Sequence, residues 1–309
     1  MTDAIDIVIP WVDGNDSVHR AERQKYTTGT NIGNLEDVGG DSRFSSIGEI
    51  FYCILSINVF APFVRKIYIV TDRQDPHIEK PLSEALPEGH IPMEIIDHKV
   101  IFRGYEEYLP TFNSRAIETL IWRIPGLSER FLLMNDDFMF IGKVNPEDFF
   151  QEGKVICYAK MFPTWWARFM RMLRPERMGH KRISFKDSML NAVDIMGGSK
   201  RFMFLGHTPR ALKKSFFEDF FKEHEELILR NIRNKFRNAE QFNSQELFYI
   251  SEYRKGRCKV INTDKGLVYL NPKKKKGYID RKLSMFERRK GAIFCCVNAL
   301  SLADRDEQM

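Results

Sequence analysis

Apolar positions along the first 140 residues follow two alternating rhythms. Ile5-Asp6-Ile7-Val8-Ile9-Pro10-Trp11-Val12 is dense in β-branched side chains and breaks at Asp13-Gly14-Asn15-Asp16, which predicts a buried strand running into a turn. From Asn31 to Ser46 the chain is rich in Gly, Asn, Asp and Ser and predicts a long loop, either plain surface or able to close over a ligand. Ile47, Ile50, Phe51, Ile54, Leu55 and Ile57 then recur at helical spacing up to Ala61-Pro62, and Lys66-Ile67-Tyr68-Ile69-Val70-Thr71-Asp72 reads as a second strand with a polar end. Met93 to Asp97 predicts a third strand, Ser114 to Ile124 a helix, and Arg130 to Met134 a strand that stops at Asn135-Asp136-Asp137. Beyond about residue 155 the pattern is less regular and more helical, with Phe216 to Phe236 its clearest amphipathic stretch.

Alternating strands and helices predict an α/β fold: a mostly parallel, Rossmann-like sheet flanked by helices, with a more helical C-terminal half. Ligands of such sheets bind beyond the carboxyl ends of the strands. The acidic turns at Asp13, Asp72 and Asp136-Asp137 are therefore expected on one rim.

Composition narrows this picture only slightly. With 309 residues and 43% hydrophobic positions the chain can bury a large core, and its net charge of +6 suits an anionic ligand or surface without requiring nucleic acid. The basic residues lie in short separate clusters with no recognition motif, so nucleic acid is not an expected partner. No apolar run approaches the roughly 20 residues that span a bilayer, and no cleavable signal pattern opens the chain, so a cytoplasmic protein is expected. The cysteines, Cys53, Cys157, Cys258, Cys295 and Cys296, are odd in number and lack C-x-x-C spacing, which predicts reduced core residues.

The candidate chemistry lies at the strand ends. A carboxylate pair directly after a buried strand, as in Asp136-Asp137, suits a divalent cation, because magnesium needs only one or two carboxylates beside phosphate oxygens and water; a structural turn fits the same dipeptide. His207, in the rigid segment Gly206-His207-Thr208-Pro209, has the residue type for proton removal near neutral pH, or for a structural hydrogen bond. Arg43, Arg115 and Arg237 stand outside charge runs, as guanidiniums that clamp anions often do. The dinucleotide-binding glycine motif, the phosphate-loop lysine motif and the Gly-x-Ser-x-Gly elbow are all missing, which counts against those enzyme classes.

Taken in order, these segments resemble the Stealth proteins, the group that holds bacterial capsular polysaccharide phosphotransferases and N-acetylglucosamine-1-phosphotransferase. The first family block is similar to Asp6 to Asp16. The second, the most specific, is similar to Arg43-Phe44, Glu49, Ser56-Ile57, Ala61 to Asp72, Leu109 to Ser114, Ala116-Ile117-Glu118, Ile124 to Glu129 and Asn135-Asp136-Asp137. The third is looser: His207-Thr208-Pro209 and Asn234-Lys235-Phe236-Arg237. Phe294 to Asn298 resembles the terminal block, but Ala299 stands where that block continues with aspartate.

The resemblance implies a glycosyltransferase-A-like fold, a UDP-sugar donor, Mg2+ or Mn2+, and transfer of hexose 1-phosphate to a glycan hydroxyl with release of UMP. It further implies His207 as the base, Asp136 and Asp137 as metal ligands, Arg115 and Arg237 on the phosphates, and Asn135 beside them. Trp11, Asp13, Gly14, Arg43 and Asn298 would line the nucleotide pocket. A catalytic domain over 1–264 and a basic segment over 265–309 that completes the site are expected. Two other functions fit the same residues: a metal-dependent glycosyltransferase releasing UDP, and a catalytically idle glycan-binding member.

Lys273 to Lys276, Arg288-Arg289-Lys290 and Trp165 to Arg174 mix cations with bulky apolar groups, as an interfacial anchor does. They predict peripheral contact with anionic lipid on the inner face of the plasma membrane, next to a lipid-linked acceptor. A solvated tail and a core-facing aromatic helix are the competing readings.

Overall fold

A computed structural model describes residues 4–27, 47–173, 184–271, 277–288, 291–298 and 300. In chain order, the first half runs β1 (Ile5–Pro10), α1 (Ser17–Thr27), α2 (Glu49–Phe60), β2 (Val64–Thr71), α3 (Glu79–Ala85), β3 (Met93–Asp97), α4 (His98–Ile101), α5 (Ser114–Leu120), β4 (Arg130–Leu133), β5 (Phe138–Phe140) and β6 (Phe150–Gln151). The second half runs β7 (Lys154–Pro163), α6 (Thr164–Met172), α7 (Phe185–Ile195), β8 (Arg201–Leu205), β9 (Arg210–Lys213), α8 (Lys214–Glu223), α9 (Glu225–Ile232), α10 (Ser244–Arg254), β10 (Cys258–Ile261), β11 (Leu267–Leu270), α11 (Tyr278–Arg288) and β12 (Phe294–Val297).

The main sheet has the order β3-β2-β1-β4-β9. β3, β2, β1 and β4 are parallel, and β9 closes the edge antiparallel to β4. This is the expected mostly parallel sheet, in the 3-2-1-4 order of a Rossmann half. β1 is buried along nearly its whole length, which is why its sequence is a continuous apolar run rather than an alternation. Its one carboxylate, Asp6, is fully buried and satisfied: Arg65 Nε and a terminal guanidinium nitrogen donate to it at 2.8 and 2.6 Å, and Ser128 N donates at 2.7 Å.

The second half is the more helical one, carrying α6 to α11, and it also holds strands that the sequence pattern did not announce. β7 pairs with β6, β8 and β10, and β12 joins β11 to β5, so two further mixed sheets are built there. Apart from the ten-residue β7, their strands are two to five residues long, too brief for alternation to announce them. The stretch from Phe216 to Phe236 is not one helix but α8 and α9, parted at His224, whose φ of −134° and ψ of 53° leave the helical region. No glycine or proline marks that break. α10 is buried from Ser244 to Glu252 and packs against β7, β8, β9 and β10, tying the sheets into one core. The four cysteines Cys53, Cys157, Cys295 and Cys296 are buried and all five are free, as expected. Among the described residues no helix is long and apolar enough to cross a membrane.

Candidate active site

β1 and β4 are parallel neighbours, so residues 11–14 and 135–137 leave the sheet at the same end. Trp11 N continues the ladder onto Val70 O at 2.8 Å, and the indole is buried with its N–H unpartnered. Asp13 is fixed by Gln74, whose side chain takes both its N–H and its carbonyl, at 2.8 and 3.0 Å, while Asp13 Oδ1 accepts from Asn15 N at 2.8 Å. Gly14 is buried beside it. Asp13 therefore shapes the turn with one carboxylate oxygen. Arg43 lies outside the described residues.

After β4, the Asn135 carbonyl accepts from Phe138 N at 3.1 Å and faces the Cys53 thiol at 3.7 Å, closing the turn that displays the carboxylate pair. Asp136 and Asp137 are half-buried. Burial, and then Asp137 and Glu49, push the Asp136 carboxyl up to about 8. Burial likewise raises Asp137 to about 6, against two donors from the last strand: Cys296 Sγ at 3.4 Å and Asn298 Nδ2 at 3.5 Å, both on Oδ2. Val297 N donates to the Asp137 carbonyl at 3.0 Å. Asn298 thus reaches the site as a support for Asp137. Ala299 lies outside the described residues.

His207 arrives by topology. β9 pairs with β4 so that Arg210 stands opposite Leu133, and the segment from 206 to 209 therefore extends from the same edge as Asn135 to Asp137. The imidazole meets Phe138 edge-on at 6.2 Å between ring centroids and Tyr269 at 4.8 Å. Its open edge faces solvent, while the surrounding protein, and then the charge on Arg210, push its pKa below the ordinary histidine value. Gly206 is required by close approach: a Cβ there would meet Thr263 Cγ2 at 2.3 Å.

Arg115 is buried, with its terminal nitrogens on the carbonyls of Asn238 and Ser184, both at 3.3 Å, and its Nε unpartnered. Arg237 donates to Ser114 Oγ at 2.8 Å. Desolvation lowers the pKa of both, that of Arg115 to about 10. A third guanidinium, Arg210, reaches Glu118 through Gln245, which accepts from Arg210 at 3.5 Å and donates to Glu118 at 2.9 Å, and the charge on Glu118 acts on Arg115 and Arg237. Among the described residues none of the three has a carboxylate in ion-pair contact. Glu118 lies within electrostatic reach of Arg115 and Arg237 without touching them, so the cluster has room to pair with an anionic occupant. Sequence reasoning missed Arg210, Gln245 and Tyr269. The adjacency of Arg210 to His207-Thr208-Pro209 was the one available signal.

A divalent cation fits the carboxylate pair in a limited way. Asp137 Oδ1 is a buried acceptor without a donor, and the two carboxyls repel each other's charge, so a cation would relieve both. Among the described residues no group of three or more metal-ligating side chains exists, so ligand oxygens would have to complete the shell, as magnesium commonly allows.

Residues 3–30 match the model for Stealth protein conserved region 1, and residues 43–158 that for conserved region 2. The chain is 31% identical over 239 residues to the capsular polysaccharide phosphotransferase cps1A of Actinobacillus pleuropneumoniae, covering 77% of this chain and 62% of that protein. It is 30% identical over 311 residues to the exopolysaccharide phosphotransferase SCO6023 of Streptomyces coelicolor, covering 96% of this chain and 47% of that one. The chain thus spans about half to three-fifths of these relatives. The galactosyltransferase LgtC, solved with donor and acceptor sugar analogues, aligns over 94% of this chain and 86% of its own at 10% identity, with a TM-score of 0.46. Through residues 3–30 and 43–158 the chain carries the first two conserved regions of the Stealth family.

Proposed function

We propose that this chain is a glycosyl-phosphotransferase that moves hexose 1-phosphate from a UDP-sugar to a glycan hydroxyl, releasing UMP, in the synthesis of capsular or other surface polysaccharide. One observation carries the reading: the β4–β9 pairing brings His207 to the edge that bears Asp136 and Asp137, with the Arg210 guanidinium close enough to act on its imidazole. The names of the relatives, phosphotransferases of capsular and exopolysaccharide, support the same reaction class.

The acceptor hydroxyl attacks the sugar-proximal phosphorus. His207, held neutral at physiological pH by its lowered pKa, takes the hydroxyl proton on an imidazole nitrogen as the new oxygen–phosphorus bond forms. The bond from that phosphorus to the UMP oxygen breaks, its electron pair leaves with UMP, and the anomeric bond stays intact. Arg115, Arg237 and Arg210 face the negative charge spread over the phosphate oxygens. Asp136 and Asp137 would hold Mg2+ or Mn2+, which when bound supplies neutralisation of the diphosphate. Asn135 shapes their turn, and Asn298 with Cys296 orients Asp137. Trp11, Asp13 and Gly14 form the β1 side of the nucleotide pocket. The segment from 265 onward completes the site through β11 and β12, and the acceptor is lipid-linked at the inner face of the plasma membrane.

Incubation with a panel of UDP-sugars, magnesium and candidate glycans tests this, with nucleotide release and phosphorus NMR as readouts. UMP and a phosphodiester signal are expected. UDP with a glycosidic product would replace the reading by sugar transfer, and magnesium-independent turnover would remove the carboxylate pair from the metal role.

A further inference from the structure

α6 presents its sequence inside out. At about 100° per residue, its inward positions Thr164 and Ala167 are small, whereas Met172, Trp165, Phe169, Leu173, Trp166 and Met170 follow one another around an uninterrupted outward arc of about 160°. All six are exposed, Trp165 at 67% and Met172 at 74%. Trp165 and Trp166 contact each other at 5.6 Å between ring centroids, and Trp166 contacts Phe169 at 5.8 Å, so the arc is a continuous apolar surface. The competing reading of a core-facing aromatic helix is thereby overturned: the core face of α6 is its smallest one.

One border of this arc is cationic: Arg168 edges it on the helix, paired with Asp194, while Arg171 lies between the inward positions, 3.9 Å from Asp187. Lys200 and Arg201 lie exposed at its N-terminal end, where Lys200 O accepts from Thr164 N at 3.0 Å. Tryptophan beside methionine and leucine, flanked along one side and one end by arginine and lysine, matches the layering of a bilayer interface, where indoles sit at headgroup depth and cations meet anionic lipid. A sugar platform would pair its rings with hydrogen-bonding side chains, and beyond the two indole N–H groups the arc has none. The basic clusters at 273–276 and 289–290 lie outside the described residues and carry no part of this argument.

We infer that α6 is a membrane-docking helix, lying in the plane of an anionic lipid surface with its aromatic arc in the headgroup region. The inference does not depend on the proposed reaction, but it places that reaction. Arg171 approaches Asp187, which forms a reciprocal cap with Ser184, and Ser184 O accepts from Arg115. The helix on the lipid is therefore three contacts from Arg115, which sets the site where a lipid-linked acceptor emerges.

Vesicle co-sedimentation and tryptophan emission of the whole chain test this, using phosphatidylcholine vesicles with and without phosphatidylglycerol. The expected result is binding and a blue shift with phosphatidylglycerol present, both weakened by salt. Trp166→Glu/Phe169→Glu should weaken binding at least about tenfold with unchanged thermal unfolding, and Lys200→Glu/Arg201→Glu should reduce the preference for phosphatidylglycerol. If the aromatic variant unfolds, Met172→Glu carries the same test. Absence of binding to either vesicle, or undiminished binding by the aromatic variant, overturns the inference. So does light scattering that shows a dimer dispersed by that variant while vesicle binding stays intact, since the occupant is then a second copy.

Discussion

The imidazole of His207 stands edge-on to the ring of Phe138, 6.2 Å between centroids, and Phe138 is the residue that directly follows Asp137. Two segments about 70 positions apart in sequence thus share one wall. Replacing His207 by alanine should lower transfer by about 10²- to 10⁴-fold, the usual worth of a general base, while donor affinity changes little. Single-turnover assays beside donor titration separate these effects. Near-normal turnover would remove His207 from the mechanism.

Gly206 sets where that imidazole sits. Gly206→Ala should drive the segment off Thr263, because Cγ2 lies 2.3 Å from the added methyl, and cut turnover by roughly tenfold or more. Thr263→Ala in the same chain leaves the nearest contact at 3.2 Å and should restore part of the loss. Lack of rescue would mean that the damage is not the Thr263 clash.

Asp136 costs stability in the metal-free protein. Its carboxyl is pushed up to about 8 by burial, Asp137 and Glu49, so the folded state retains a proton that the unfolded chain releases near pH 4. Stability is therefore full below that pH and drains as pH rises through 8. Asp136→Asn should raise metal-free stability at pH 8, on the order of 1–2 kcal/mol, while abolishing metal-dependent turnover. Urea unfolding with a chelator present checks the first part, and an unchanged or lower midpoint refutes it.

His98 acts in the opposite direction. It is buried, neither ring nitrogen has a partner, and burial lowers its pKa from 6.5 to about 4 in the company of Asp72, Asp97, His19 and Arg73. The unfolded chain takes up a proton below pH 6.5 that the folded one refuses. The contribution of neutral His98 is thus complete above 6.5 and drains as pH falls toward 4, by at most about 3 kcal/mol. His98→Gln should flatten that acid limb in unfolding midpoints taken from pH 7 to 4.5, and equal slopes would dismiss it.

At the far end of β1, Asp6 and Arg65 form a pair with no part in the chemistry. Asp6→Ala should cost about 3 kcal/mol, the lower end for a buried pair because the Arg65 side chain is 46% exposed. Turnover of the folded fraction should persist, because the site lies at the opposite end of the strands. Loss of activity at full folding would contradict that separation.

The sequence by itself determined the parallel sheet and the rim on which Asp13 and Asp136-Asp137 sit. A strand buried on both faces must be a continuous apolar run, and the polar residues that end it must lie where the sheet stops. It also carried His207 and the family, through local motifs. What the tertiary structure decided was who meets whom: Asn298 and Cys296 supporting Asp137, Arg210 reaching Glu118 through Gln245, and Tyr269 backing His207. Those meetings depend on short strands from the second half, whose pairing leaves no periodic trace. The aromatic residues of α6 were legible as an interfacial segment, but the direction they face was open for a related reason: helical spacing gives a stripe, and only packing decides which side of the helix faces the core.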